Sequence, residues 1–187
     1  EALRARGGRI IVVDPRRSRT AESADEWLAI RPGTDALLLA AMVTAVFEAQ
    51  RANLGDHLAG HVNGVEQVQA ALAEFTPEAV ARVVGIDAGT IRRIALELCD
   101  AKRAAVYGRI GTTTVSFGTT ASWLVDVLNA VTGNLDIVGG AMFPLPVASG
   151  PTTRGKPGVG KGFRTGRGKS RVRNFPEALG EFPAALM

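Results

Sequence analysis

Two carboxylates stand where a strand-to-helix crossing could present them to a ligand. Asp14 closes the β-branched run Ile10-Ile11-Val12-Val13 ahead of Pro15, and Asp35 follows the turn Arg31-Pro32-Gly33-Thr34 at the head of a long apolar stretch. A carboxylate so placed accepts hydrogen bonds from ribose hydroxyls or from the N–H edge of a base, while backbone N–H groups of the adjoining turn face phosphate. Each acid has a plainer role beside that one: Asp14 opens the turn before Pro15, and Asp35 suits the positive end of a helix. A second turn, Gly108 to Thr114, brings Gly108, Arg109, Ile110, Gly111 and Thr112 to the exit of another apolar run. Arg109 would point into the crevice where α/β folds bind ligands, or pair with a neighbouring loop. The glycines permit close approach to a ligand or simply tight backbone passage. Arg16, Arg17 and Arg19 read either as a phosphate clamp or as a solvated loop.

Other chemistries are weaker. His57 and His61 share a helical spacing but have no third ligand in reach of it, so they read as surface histidines. Cys99 ends the apolar face Ile91, Ile94, Ala95, Leu98 and reads as a core thiol. The string Gly155-Lys156-Pro157-Gly158-Val159-Gly160-Lys161-Gly162 spells a phosphate loop until its last position, where the Ser or Thr that would hold magnesium is replaced by Gly162. Nothing pairs a nucleophile with a base.

The elements that must position the two acids alternate. Gly8 to Pro15 reads as a buried parallel strand ending at Asp14, and Trp27 to Ile30 as a second apolar piece beyond the polar stretch Arg16 to Glu26. Thr34 is placed as the N-cap of a helix that runs to about Gln50 and is buried on most faces. Helices are expected over Val65 to Phe75, from Thr76-Pro77 to Gly85, and from Asp87 through Ala101. Arg103 to Tyr107 reads as another strand and Ser116 to Thr132 as a helix ended by Gly133-Asn134. Glu1 to Arg6 reads as the last turn of a helix. The fold class is α/β: a small parallel sheet with flanking helices, of the nucleotide-binding, doubly wound type, with a helical insertion and an irregular C-terminal tail.

Composition sets the outer limits. With 46% hydrophobic and 21% charged residues, the 187-residue chain can bury a sizeable core. No apolar run is long enough to span a bilayer. One cysteine allows no internal disulfide or multi-thiolate metal site, which points to a reducing, cytoplasmic compartment and keeps an iron–sulfur cluster off this stretch. No basic and apolar leader follows Glu1, so no secretory signal is expected. The net charge of +4 has a local source: eight of the 22 basic residues, and none of the acids, lie in residues 150–174. That segment is glycine-rich and aperiodic, so it reads as an irregular loop or a mobile tail. The expected division is an α/β domain over 1–149 and a basic segment with a short tail over 150–187. The basic segment could instead neutralise nucleic-acid phosphates as a non-catalytic binding domain, although its lack of aromatics other than Phe163 argues against base stacking.

Longer strings then follow in a recognisable order. They are Arg9-Ile10-Ile11-Val12-Val13-Asp14-Pro15-Arg16 with Thr20-Ala21 and Ala24-Asp25, Ile30-Arg31-Pro32-Gly33-Thr34-Asp35-Ala36-Leu37-Leu38, and Phe75-Thr76-Pro77-Glu78. Ile91-Arg92-Arg93-Ile94-Ala95, Tyr107-Gly108-Arg109-Ile110-Gly111-Thr112-Thr113 and Leu128-Asn129-Ala130-Val131-Thr132-Gly133-Asn134-Leu135-Asp136 with Gly139-Gly140-Ala141 complete the set. The succession resembles the molybdopterin oxidoreductases of the dimethyl sulfoxide reductase family. The resemblance implies a bis(molybdopterin guanine dinucleotide) cofactor with molybdenum or tungsten held by two dithiolenes. It implies that this stretch is the third domain, which binds one guanosine arm.

By the same resemblance Asp14, Pro15 and Arg16 form the guanosine-contacting strand end, and Pro32, Gly33 and Asp35 the guanine-recognition turn. Gly108, Arg109, Ile110, Gly111 and Thr112 form a turn near a pterin. A catalytic residue, the metal ligand and any iron–sulfur cluster would lie in other regions, so the fragment alone is expected to be inactive. Its partners would be the remaining domains of the same enzyme and an electron-transfer subunit. Formate dehydrogenases of the family carry an arginine after the double glycine. The loop Phe143 to Gly150 has none before Arg154, which speaks against formate as the substrate.

Overall fold

The computed structural model describes residues 2–142, 165–171, 173, 174 and 176–178. Residues 1–142 form one compact unit and residues 143–187 a second. In chain order the first unit contains α1 (Ala2–Ala5), β1 (Ile11–Val13), α2 (Arg19–Glu22), β2 (Glu26–Leu28), α3 (Asp35–Glu48) and α4 (Asp56–Ala59). It continues with α5 (Val65–Leu72), α6 (Pro77–Val84), α7 (Ala88–Asp100), α8 (Ile110–Thr113) and α9 (Gly118–Val131). The second holds an antiparallel hairpin, β3 (Thr165–Lys169) with β4 (Pro176–Ala178). Among the described residues no helix is long and apolar enough to cross a membrane.

The first unit is the expected α/β arrangement. β1 and β2 pair in parallel with Ile11 opposite Glu26, Val12 opposite Trp27 and Val13 opposite Leu28. The core is built on α3, whose residues Leu38 to Val46 are all buried. A helix apolar on every side must be covered all round, and α5, α6, α7 and α9 do so. Ile91, Leu124, Leu128, Val43 and Val46 are wholly enclosed there, each contributing roughly 1.5–3 kcal/mol by leaving water.

Helix starts follow the side chains that can cap them. Thr76 Oγ1 accepts from Ala79 N–H at 3.2 Å with Pro77 in the first turn, and Asp87 Oδ1 accepts from Thr90 N–H at 2.8 Å. Ser18 does the same for α2, a short helix inside the stretch read as polar loop. Thr34 does not cap. Its backbone lies outside the extended region of a capping residue, and its hydroxyl donates to Arg31 O at 2.8 Å instead.

Arg103 to Tyr107 is not a strand. The backbone there is claimed by two buried side-chain amides rather than by a neighbouring strand: Asn129 brackets Val106, accepting its N–H at 2.8 Å and donating to its carbonyl at 2.8 Å, and Asn134 Oδ1 accepts Ala104 N–H at 3.0 Å. In the second unit residues 165–169 are strand where the sequence reading expects irregular backbone. Main-chain pairing needs no apolar period, so the glycine-rich basic string hides it. The phosphate-loop-like string Gly155 to Gly162, the loop Phe143 to Gly150 and Arg154 lie outside the described residues.

Candidate functional site

In a parallel pair both strands leave the sheet at the same edge, and the two acids of interest follow those exits. Asp14 N–H donates to Leu28 O at 3.1 Å, which sets Asp14 beside the last residues of β2. Its Oδ1 accepts from Arg16 N–H at 2.8 Å, so one carboxylate oxygen does open the turn at Pro15, while Oδ2 has no partner among the described residues. Pro15 and Arg16 are exposed, and the Arg16 guanidinium pairs with nothing among the described residues.

From β2 the chain passes Ala29 and Ile30 into Arg31 to Asp35. Arg31 N–H donates to Val84 O at 2.8 Å, anchoring the turn on the end of α6. Gly33 has φ +80 with open space where a Cβ would stand, and Pro32 is exposed beside it. Asp35 is half-buried and has no ion pair and no side-chain hydrogen bond to another described residue. Burial pushes its carboxyl pKa above the usual range, with its own main-chain N–H pulling it back. Asp14, Pro15 and Arg16 thus follow the exit of β1, and Pro32, Gly33 and Asp35 follow that of β2 after the turn anchored on Val84, with no counter-ion for Asp35 among the described residues.

Gly108 to Thr112 is tied to a different element. α8 packs on α9, and a Cβ on Gly108 would lie 2.8 Å from Thr112 Oγ1 and 3.3 Å from Val125 Cγ2, so this glycine serves close internal approach. Thr112 Oγ1 donates to Arg109 O at 2.7 Å, and Gly111 is open on its Cβ side. The Arg109 guanidinium has no partner among the described residues. Around it Tyr107, Ile110 and Phe117 are 80%, 70% and 76% exposed, and Phe117 is held at φ 62, a left-handed conformation that costs a bulky residue energy. No hydrogen bond or ion pair joins this turn to the strand exits among the described residues.

The remaining candidates resolve as structural. His57 Nε2 lies 2.7 Å from Leu135 O, and both histidines are exposed. Among the described residues no three His, Cys, Asp or Glu side chains converge on a possible metal position. Cys99 is half-buried, its Sγ 3.6 Å from Ala95 O, and burial pushes the thiol up, away from reactivity at neutral pH. A cleft of about 120 Å³ between Trp123, Val127 and Val65 is too small and too apolar for a nucleotide. Sequence reasoning missed Trp27, whose indole N–H holds the carbonyl of Asp14 at 2.8 Å. An aromatic inside a strand reads as core, and only its position level with the strand exit could have marked it.

A family model described as molybdopterin oxidoreductase matches residues 1–177. Formate dehydrogenase H of Escherichia coli is 34% identical over 131 residues, 69% of this chain and 18% of that protein. The alpha subunit of a formate dehydrogenase of Methanocaldococcus jannaschii is 32% identical over 142 residues, 75% of this chain and 21% of that protein. The solved structure of acetylene hydratase from Pelobacter acetylenicus aligns with a TM-score of 0.67 at 31% identity, covering 75% of this chain and 19% of that one. The chain thus spans about a fifth of the length of these relatives. With the family model matching nearly the whole chain and the fold shared with a solved relative at 31% identity, the chain belongs to the molybdopterin oxidoreductase family.

Proposed function

We propose that this chain is the part of a molybdenum- or tungsten-dependent oxidoreductase that holds one guanosine arm of a bis(molybdopterin guanine dinucleotide) cofactor. Membership of the family implies a molybdopterin with one of those metals. The guanine form is our reading, and one observation carries it: Asp35 is a half-buried carboxylate with no ion pair and no side-chain hydrogen bond to another described residue. Guanine offers N1–H and N2–H₂ side by side, and one carboxylate can accept both, a pairing that adenine cannot reproduce. A ligand with those donors would compensate the desolvation of the Asp35 carboxylate.

The donor set fits the rest of such a group. Asp14 Oδ2 is free for ribose hydroxyls, Gly33 leaves room for a base to lie close to the backbone, and Pro32 stiffens the turn. Among the described residues Arg16, with Pro15 beside it, is an unpaired cation at the strand exit, and Arg109, next to Ile110, Gly111 and Thr112 on a separate turn, is another, which we assign to the pterin side. When bound, the metal and its dithiolenes supply the redox chemistry; this chain's residues bind, orient and tune the field around the group. Residues 1–149 supply that domain, and the isolated chain turns nothing over. An electron-transfer subunit and a cytoplasmic setting complete the reading, the latter supported by the single cysteine.

Calorimetric titration with GDP tests it. GDP should bind, ADP should bind at least about tenfold more weakly, and Asp35→Ala and Asp14→Ala should each remove the preference. Equal affinity for GDP and ADP in the wild-type chain would sink the reading.

A further inference from the structure

Trp27 is the middle residue of β2, opposite Val12 in the pairing. Its half-buried indole reaches the strand exit, where Nε1–H donates to the main-chain oxygen of Asp14 at 2.8 Å. The ring in turn carries Arg17, whose guanidinium carbon lies 5.7 Å from the ring centroid, within the range of cation–π attraction. Asp14 also gives its N–H to Leu28 and takes the Arg16 N–H on Oδ1. Both main-chain groups of Asp14 and one of its carboxylate oxygens are therefore fixed by this chain alone, before any ligand arrives.

Arg17 is set apart from Arg16 and Arg109, which also face no acid among the described residues, by its seat on an aromatic ring. Arg4, Arg9, Arg51, Arg92 and Arg93 each face a carboxylate, whereas among the described residues Arg17 has the Trp27 ring and no acid. A guanidinium laid over an aromatic ring keeps its full charge and leaves its N–H fork free for phosphate oxygens. The ring meanwhile restricts a side chain that would otherwise sample many rotamers, which lowers the entropy lost on binding.

We infer that Arg17 is a further contact to the diphosphate of the bound guanine nucleotide, and that Trp27 is the positioning residue that holds both Arg17 and the Asp14 carbonyl for it. The inference rests on the guanine-nucleotide reading given above. Trp27 acts through two separable groups: the indole N–H fixes the loop backbone, and the ring face fixes Arg17. Asp14 and Asp35, being acids, serve the ribose and base; the phosphate end needs a cation, and Arg17 is one already oriented at the same strand exit.

Titrating the full 187-residue chain with GDP and with guanosine separates these roles. Arg17→Ala should weaken GDP roughly tenfold, the loss of one charge-assisted contact, and leave guanosine unchanged. Trp27→Phe keeps a ring for Arg17 but removes the N–H donor, and should weaken both ligands by a similar factor of about two to five. Trp27→Leu removes ring and donor together, so GDP should lose more than guanosine does. Arg17 is exposed, so Arg17→Ala folds and decides the matter even if a Trp27 variant does not. GDP affinity unchanged in Arg17→Ala, or GDP and guanosine weakened alike, overturns the Arg17 contact while the guanine reading stands. Wild-type behaviour in Trp27→Phe overturns the positioning role, and a wild-type chain that binds neither ligand overturns inference and reading together.

Discussion

Asp35 is a residue whose charge the fold does not welcome. Its raised pKa means that the folded state holds the proton more tightly than the unfolded chain, where the ordinary value is 3.8. Stability from this group is therefore greatest below that value and falls as pH rises through the folded pKa. At neutral pH the ionised carboxylate is a cost, so Asp35→Asn should melt at or above the wild-type temperature. The same change turns half of the acceptor pair into a donor facing guanine N–H groups, and GDP affinity should drop at least about tenfold. A variant that gains or keeps stability while losing ligand is the mark of a residue kept for binding. Loss of both would place Asp35 among the structural acids. Asp14 stands between the two descriptions, since one oxygen already closes the Pro15 turn and only the other is free.

Elements show which signals travel in sequence and which do not. Local ones do: Thr76-Pro77 and Asp87 mark helix starts because the capping oxygen and the amide it meets are three residues apart, and Gly85 ends α6 at φ 83 because that conformation suits glycine. The strand exit at Asp14 and the turn at Gly33 were legible for the same reason. Arg103 to Tyr107 was misread because its hydrogen bonds come from residues about 23 and 30 positions away, from side chains rather than a strand. The β-branched and aromatic types there describe a half-buried extended segment, which it is, but not its partner. Trp27 was hidden likewise, since its bond to Asp14 exists only once β1 and β2 pair. Asn129 offers a direct check. It is 1% exposed and makes three hydrogen bonds, two to Val106 and one to Val125. Asn129→Leu leaves the Val106 backbone groups buried without partners and should cost about 2–3 kcal/mol in urea denaturation. Amide exchange at Val106 should quicken well beyond that of α7. A variant as stable as wild type would show that water replaces the bracket.

Two properties belong to the molecule as a whole. The first is its response to acid. Asp25 is held below the usual carboxylate range chiefly by the Ile10 N–H, Glu78 by Arg92 and Asp87 by the Thr90 hydroxyl. Burial pushes Glu97 up, but Arg93 and Arg9 together outweigh it. Arg9 and Arg93 both bridge Glu26 and Glu97, joining the start of β1, β2 and α7 in one ring of alternating charge. A depressed folded pKa gives stability that is present above the unfolded value and lost as pH falls through the folded one. The denaturation midpoint should thus be flat down to about pH 5 and fall below it, Asp35 offsetting a little of the loss. A midpoint that rises on acidification would contradict the pairing. The second property is autonomy. Among the described residues every member of the hydrophobic core, from Ile30 to Val131, lies in the first compact unit, as does each residue proposed for the nucleotide. A core of its own is what lets a unit fold alone. Truncation after Met142 should therefore preserve a single cooperative unfolding transition and the GDP affinity of the 187-residue chain. Eight of the basic residues leave with the removed segment, so any salt-sensitive binding of nucleic acid should vanish with it. If GDP binding disappeared and nucleic-acid binding had been strong before the cut, the basic segment would be the functional part and the strand exits only scaffold.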